Sequence, residues 1–329
     1  MIVSRTPLRI SFVGGGSDLE SYYRGEPGAV VSSAINRYIY ITVNGKFDRK
    51  IRASYSVTEI VDRVGEIQNE LVREALQRVG LDAGIEITSI SDIPSEGTGL
   101  GSSSTYTVGL LNALYAHLGV YAGAERLARE ACAIEIENCG KPIGKQDQYI
   151  AAYGGLQFIQ FNPDGSVYVD PIVCSKDTKR NLQAQLLILY TGLTRSADSV
   201  LREQKANTET DAERRANMTT MVSLAHDLRD ALSADNLSAF GEILHQGWML
   251  KRRMASAISN DTIDEWYQRA REHGAIGGKI LGAGGGGFLL LCAPPESHAG
   301  IISALPELRP ISWGLEPQGS KIIYVEEGV

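Results

Sequence analysis

Histidine and cysteine are scarce in this chain, five and four respectively among 329 residues. The histidines (His117, His226, His245, His273, His298) never stand at a spacing such as H-x-x-x-H that would aim two imidazoles at one zinc ion. The cysteines (Cys132, Cys139, Cys174, Cys292) form no C-x-x-C pair. They read as free thiols in a reducing compartment rather than as a disulfide framework or a zinc site. Apolar runs are all shorter than the ~18 residues that would span a bilayer. The opening MIVSRTPLRISFVGG lacks the apolar core and cleavage site of a secretory signal, so a cytoplasmic location is expected. Basic side chains are outnumbered 32 to 39, for a net charge of −7. That balance argues against nucleic acid or an anionic membrane as the main partner. Tandem repeats and low-complexity tracts are also missing.

What the chain does have is an ordinary globular balance, 43% hydrophobic and 22% charged, and enough length for two domains of about 150 residues each. It also has clustered glycine. The stretch from Asp92 to Leu118 organises the rest. Before it, residues 84–88 alternate apolar and polar as a half-buried strand does. After it, Val108, Leu111, Leu114, Tyr115 and Leu118 recur at helical spacing and predict one apolar face. Between lie Gly97, Gly99 and Gly101, then Ser102, Ser103, Ser104 and Thr105. Such glycines allow turns closed to other residues and close approach to a ligand. The hydroxyls then fall on a first helical turn, whose amides lack intrahelical partners and favour an anion such as phosphate. No Gly-Lys-Ser/Thr ends the loop, so it is not a Walker A motif. An N-capped helix after a flexible turn reads equally well from this stretch alone.

Elsewhere, residues 2–13 predict a strand ending at Gly14-Gly15-Gly16-Ser17-Asp18. Asp18 reads either as a helix cap or as an acceptor for a polyhydroxylated ligand. Strand-like runs follow at Ala29–Ser33 and Tyr38–Asn44, and the basic KFDRKIRASYS reads as a solvated edge. Helices are expected over Glu66–Val79 and Ala124–Glu137, and a hairpin over Gln157–Phe161 and Val167–Val169. The polar KDTKRN suggests a boundary, giving domains 1–178 and 179–329. The second opens on a buried strand at residues 186–190. Helices over 211–273, broken near Ser233–Asn236 and Ser259–Asp261, place Met218, Met221, Val222 and Leu228 in the core. A last glycine cluster at 282–287 precedes a buried strand, Phe288–Cys292.

Taken together and in order, TPLRISFVGGGSDL, PSEGTGLGSSSTY and KILGAGGGGFLLL resemble the three motifs of the GHMP kinase family, and the resemblance spans nearly the whole chain. The second is the most specific. The first, with GKQDQY and YTGLTRSA, is most similar to the sugar branch, in particular to the heptose 7-phosphate kinases. The resemblance implies an α+β fold of two domains, the first like ribosomal protein S5 domain 2 and the second ferredoxin-like, with the site between them. It implies ATP and Mg²⁺ as cofactors and a small-molecule sugar phosphate as acceptor. The amides of Gly97, Gly99, Leu100, Gly101, Ser102, Ser103 and Ser104 would wrap the ATP phosphates. Ser103 and Glu135 would hold Mg²⁺, with Glu137 as the alternative carboxylate. Asp147 would be the catalytic aspartate and Arg9 its basic neighbour. Asp18, with Gly15, Gly16 and Ser17, would meet the sugar. Lys145 and Arg195 are candidates for the sugar's distal phosphate. The first motif has G-G-G-S-D where galactokinase has G-E-H-T-D, which puts galactose in doubt. A 1-kinase for another sugar such as fucose, a decarboxylase of the same fold and a catalytically dead sugar sensor are the other readings.

Overall fold

Alternating apolar residues open the chain as β1 (Ile2–Val13). In the computed structural model, which describes residues 1–94, 99–194 and 197–326, β1 pairs along nearly its whole length with β2 (Gly28–Gly45). The two runs expected there are one 18-residue strand. The polar pair Asn36-Arg37, which interrupts the apolar pattern, is absorbed as a bulge. Register passes there from Pro7 opposite Tyr38 to Leu8 opposite Ile35. Asn36 recovers its partners from Gly314, accepting from that amide at 2.6 Å and donating to that carbonyl at 2.9 Å.

The first sheet continues with β3 (Ile51–Ser54), β4 (Thr58–Val61), β5 (Ile85–Ser91), β6 (Leu156–Phe161) and β7 (Val167–Pro171). A second, antiparallel sheet is built from β8 (Leu186–Tyr190), β9 (Gly277–Ile280), β10 (Phe288–Cys292) and β11 (Arg309–Pro310), in the order β11-β8-β10-β9. The last strand, β12 (Lys321–Val325), returns to the first sheet and pairs with β1, giving the order β12-β1-β2-β5-β3-β4 with β6 and β7 branching from β2. Residues 321–325 thus belong to the sheet of the N-terminal half. The basic segment expected at an edge carries β3, which lies inside the sheet with Ile51 fully buried; β4 takes the edge.

Helices α1 (Glu20–Tyr23), α2 (Glu70–Val79), α3 (Ser102–His117), α4 (Ala124–Cys132) and α5 (Gln146–Tyr153) belong to the first half. The second carries α6 (Lys176–Gln185), α7 (Ala197–Thr210), α8 (Ala212–Ser233), α9 (Phe240–Lys251), α10 (Asp261–Glu272) and α11 (His298–Ala304). The breaks between α8, α9 and α10 cover residues 234–239 and 252–260, near the expected positions but longer, because α9 stops at Lys251. Helix α3 departs from the one-faced helix expected: it is buried on nearly every side, against β1 and β2 and among α2, α4 and α5. A helix apolar all round is a core helix. Gly109 allows the close approach, since a Cβ there would fall 2.7 Å from the Thr6 hydroxyl. The α-helical turns of α4 stop at Cys132, short of Glu137, and the chain continues as a π-helical turn over Ala133–Asn138.

Strand β1 is the joint of the molecule. Its first half lies on α3, where the Ser4 hydroxyl donates to the Gly109 carbonyl at 2.8 Å. Its end meets α9, where Phe12 and Phe240 pack edge to face with ring centroids 5.2 Å apart. Arg9, Ser11 and the glycine turn after Val13 are thereby carried between the two halves.

Candidate functional site

The second and third glycine clusters meet backbone to backbone. Gly99 has φ +75° and Gly282 φ +73°, conformations that favour glycine. A Cβ on Gly99 would lie 2.3 Å from the Leu281 carbonyl oxygen, and one on Gly282 would lie 2.5 Å from the Gly99 Cα. No side chain fits at either place. Gly101, with φ +77°, directly precedes the first turn of α3 and leaves room for Arg9 and Asp147 beside it. The Arg9 amide donates to the Leu100 carbonyl at 3.1 Å, which fixes this loop to β1.

Arg9 is almost fully buried and grips Asp147 at both carboxylate oxygens, Nε to Oδ1 at 2.7 Å and Nη2 to Oδ2 at 2.5 Å. Its third nitrogen donates to the Gly99 carbonyl. Asp147 stands in the first turn of α5 and stays 22% exposed, so its carboxylate is both held and reachable. Two-point guanidinium–carboxylate pairing fixes orientation as well as charge. The π-helical turn places Glu135 behind the first turn of α3, fully buried. It accepts from the Ser103 hydroxyl and, at 2.6 Å, from the Gln148 amide. Burial pushes the Glu135 carboxyl up to about 7, although Ser103, Ser104 and Gln148 hydrogen bonds pull it back. Glu137 is exposed and joins none of this. One carboxylate and one hydroxyl are a fitting protein share for Mg²⁺, which keeps most of its coordination for water and phosphate oxygens.

Asp18 does not cap α1, whose first turn has no side-chain cap. The carboxylate instead turns inward, accepting from the Gly16 amide at 2.8 Å and from the Gln146 backbone and side-chain nitrogens at 3.2 Å each. Burial raises its pKa, with Asp147 adding to the rise. Gly15, Gly16 and Asp18 line a cavity of about 310 Å³ together with Arg9, Ser103 and Asp147. Ser17 serves the turn itself: its hydroxyl accepts from the Ala29 amide and donates to the Ala29 carbonyl.

Lys145 is not brought into this cavity. Its ammonium donates to the Gly165 carbonyl at 2.8 Å and lies over the Tyr23 ring. Gly97 and Arg195 lie outside the described residues. Besides Lys141, which is half-buried and paired with Glu70, two buried cations that sequence reasoning passed over line the cavity, Lys251 at the end of α9 and Lys279 on β9. Both are buried, which lowers their pKa values to about 8 and about 7. Asp18 partly offsets the fall at Lys251, whereas Lys251 and Arg9 deepen it at Lys279. The signal for Lys279 was a lone charge in the otherwise apolar GGKIL. Lys251 is indistinguishable in sequence from its neighbours Arg252 and Arg253.

On its other side the first turn of α3 opens to a second cavity of about 630 Å³, with Tyr55, Asn69, Ile93, Pro94 and Tyr106 in its wall. Ser102 and Ser103 line both cavities. The arrangement accommodates a molecule with a flat, largely apolar end in one cavity and a polyanionic end over the helix terminus, facing a second molecule beside Asp147.

Comparison with known proteins agrees with this geometry. The model of the GHMP kinases N terminal domain matches residues 66–155, and that of the GHMP kinases C terminal region matches residues 228–308. The chain is 30% identical over 319 residues to a D-glycero-alpha-D-manno-heptose 7-phosphate kinase of Campylobacter jejuni, covering 92% of this chain and 93% of that one. It is 25% identical to a bifunctional fucokinase/GDP-fucose pyrophosphorylase of Arabidopsis thaliana, over 89% of this chain and 30% of that one. Among solved structures, a D-glycero-D-manno-heptose 1-phosphate kinase from Bacteriodes thetaiotaomicron superimposes with a TM-score of 0.82 at 24% identity, covering 99% of this chain and 100% of that one.

Proposed function

The chain belongs to the GHMP kinase family, as a phosphotransferase with an alcohol acceptor, and from that premise we propose that it transfers the γ-phosphate of ATP to the anomeric hydroxyl of D-glycero-D-manno-heptose 7-phosphate. The product is the 1,7-bisphosphate, a precursor for nucleotide-activated heptose. The observation that carries this reading is the Arg9–Asp147 pair, set in a cavity that shares the first turn of α3. The heptose-kinase relative, aligned over nearly both full lengths, supports the acceptor.

ATP supplies the phosphoryl group, and Mg²⁺, held by Ser103 and Glu135, would offset its charge. The amides of Gly99 to Ser104 face the phosphates. Asp147 accepts the hydrogen bond of the acceptor hydroxyl and, with Arg9 locking both of its oxygens, aims that hydroxyl for in-line attack. Arg9 also balances charge near the transferring group. Asp18, preset by Gly16 and Gln146, accepts hydrogen bonds from sugar hydroxyls. Lys145 gives way as a phosphate ligand to groups inside the cavity, whereas Arg195, outside the described residues, stays a candidate. Among the described residues no helix is long and apolar enough to cross a membrane.

The test is an ADP-release assay with heptose 7-phosphate and free heptose, with phosphorus NMR of the product. Turnover of the 7-phosphate to a 1,7-bisphosphate is the expected result. Turnover of free heptose or of fucose in preference would move the assignment to a 1-kinase for an unphosphorylated sugar.

A further inference from the structure

The acceptor cavity has more hydrogen-bond donors than the protein satisfies, and they gather around the end of β1 and the Gly14–Gly16 turn. The Lys251 ammonium donates to the Gly15 carbonyl at 3.0 Å and to Gln204 Oε1 at 2.7 Å. The Lys279 ammonium donates to the Ser11 carbonyl at 2.9 Å and to the Phe12 carbonyl at 3.2 Å. Both lysines are more than nine-tenths buried. Among the described residues neither has a carboxylate within ion-pair distance, although Asp18 attracts Lys251 from farther off. The Ser11 hydroxyl lines the same cavity, is 4% exposed and has no hydrogen-bond partner. The Gln204 Nε2 is likewise buried without a partner, against Gly16.

Buried cations without counter-charge are expensive, and unmatched buried donors add to the cost. A neutral sugar would fill the donors but leave two ammonium charges uncompensated. A dianion would answer both deficits. The nucleotide phosphates are expected at the first turn of α3, which follows Gly101 beside Arg9 and Asp147. Lys251 lies instead beside Gly15 and Asp18, at the acceptor's end.

We propose that Lys251 and Lys279, with the Ser11 hydroxyl, form an anion subsite that takes a phosphate carried by the acceptor sugar at the end remote from the reacting hydroxyl. This rests on the kinase reading, and it reassigns phosphate recognition from Lys145 to the third-motif lysine and the end of α9. Gln204 is a positioning residue, holding the Lys251 ammonium toward the turn.

Calorimetry on the full chain, saturated with AMPPNP and Mg²⁺ so that the nucleotide phosphate site is filled, tests it without relying on turnover. The probes are heptose 7-phosphate, free heptose and inorganic phosphate. Wild-type protein is expected to bind the 7-phosphate far more tightly than free heptose, and inorganic phosphate is expected to compete with it. Lys251→Met should weaken 7-phosphate binding by about 30-fold or more, as truncation of a buried charge contact does. Lys251→Arg should recover part of the loss, and Ser11→Ala should cost about fivefold. AMPPNP affinity reports whether each variant is folded. Equal weakening of 7-phosphate and free heptose in Lys251→Met, or loss of phosphate-dependent affinity in Lys145→Met and not in Lys251→Met, overturns the subsite. Lys251-dependent binding of sugar phosphates with no phosphoryl transfer to any of them would uphold the subsite and overturn the kinase reading alone.

Discussion

Arg9 and Asp147, 138 positions apart, meet as a two-point ion pair in which both carboxylate oxygens accept from one guanidinium. The contact closes β1 onto α5, with the Gly101 turn lying against both side chains. Each Asp147 oxygen keeps a lone pair free, and the 22% exposure faces the cavity. A carboxylate so fixed can orient an acceptor hydroxyl with little reorganisation during the reaction.

Asp147→Asn therefore removes the acceptor for the reacting hydroxyl's proton while keeping the shape. Turnover is expected to fall by about 10²- to 10⁴-fold, with AMPPNP affinity nearly unchanged. Stability should drop by about 1–3 kcal/mol, because Arg9 remains buried with a weaker partner. Near-normal turnover by steady-state kinetics would sink the catalytic role of Asp147.

Gly99→Ala tests the contact between the two glycine loops. A side chain at φ +75° costs about 1–2 kcal/mol, before any clash with the Leu281 carbonyl is counted. The variant should melt several degrees lower and show a raised KM for ATP. Gly65→Ala is the contrast: nothing lies within 4 Å of its Cβ, and its melting temperature should stay close to wild type. Equal melting temperatures for the two variants would mean that the loops do not bear on one another.

Much of this arrangement was legible in the sequence, and the parts that were not share a cause. Short-range chemistry came through: the glycine-serine loop into α3, the β1 strand, the hairpin of β6 and β7, and the helix breaks near Ser233 and Ser259. Pairing at a distance did not. The Asn36-Arg37 bulge depends on Gly314, and the burial of α3 on nearly every side depends on five elements that pattern alone cannot place around it. Nothing in KIIYV says that it returns to β1. The same holds in the site. The resemblance named Arg9, Asp147, Glu135 and Asp18, but it gave no role to their partners Gln146 and Gln148, although both stand in GKQDQY. Lys145 stood beside the aspartate in sequence and Lys251 did not, yet α9 ends in the cavity and the Lys145 side chain leaves it.

Glu135→Gln separates the cost of a buried carboxylate from its use. The wild-type group is raised from its ordinary 4.5 to about 7, so between these values the folded state binds more protons than the unfolded. Stability of the nucleotide-free protein should accordingly fall as pH rises from about 4.5 to about 7, by on the order of 3 kcal/mol in total. Glutamine has no charge to bury, and the unpartnered Gln148 Oε1 can turn to accept from its amide. At pH 8 the variant should be at least as stable as wild type, while the extra stabilisation that Mg²⁺ adds to bound ATP disappears. Melting curves with ATP, with and without Mg²⁺, give both readings; full retention of the Mg²⁺ increment would remove Glu135 from the metal site.

Lys279 and Lys251 should make acceptor binding proton-linked. In the free protein their pKa values are lowered to about 7 and about 8, by burial first. Lys251 and Arg9 add repulsion at Lys279, and Asp18 supplies some attraction at Lys251. The unfolded state binds more protons above these values, so through these groups the free protein gains stability as pH rises from about 7 toward 10.5. A dianionic phosphate reverses the preference, because the ammonium form then has a partner. Binding of heptose 7-phosphate near pH 8.5 should therefore take up protons, and its affinity should weaken as pH rises from about 7 to 9. Free heptose should show neither effect. Titration calorimetry in two buffers of different ionisation enthalpy measures the uptake directly, and Lys279→Met should reduce it. An affinity for the 7-phosphate that stays flat across this range, with no proton uptake, would mean that the phosphate does not sit against these lysines.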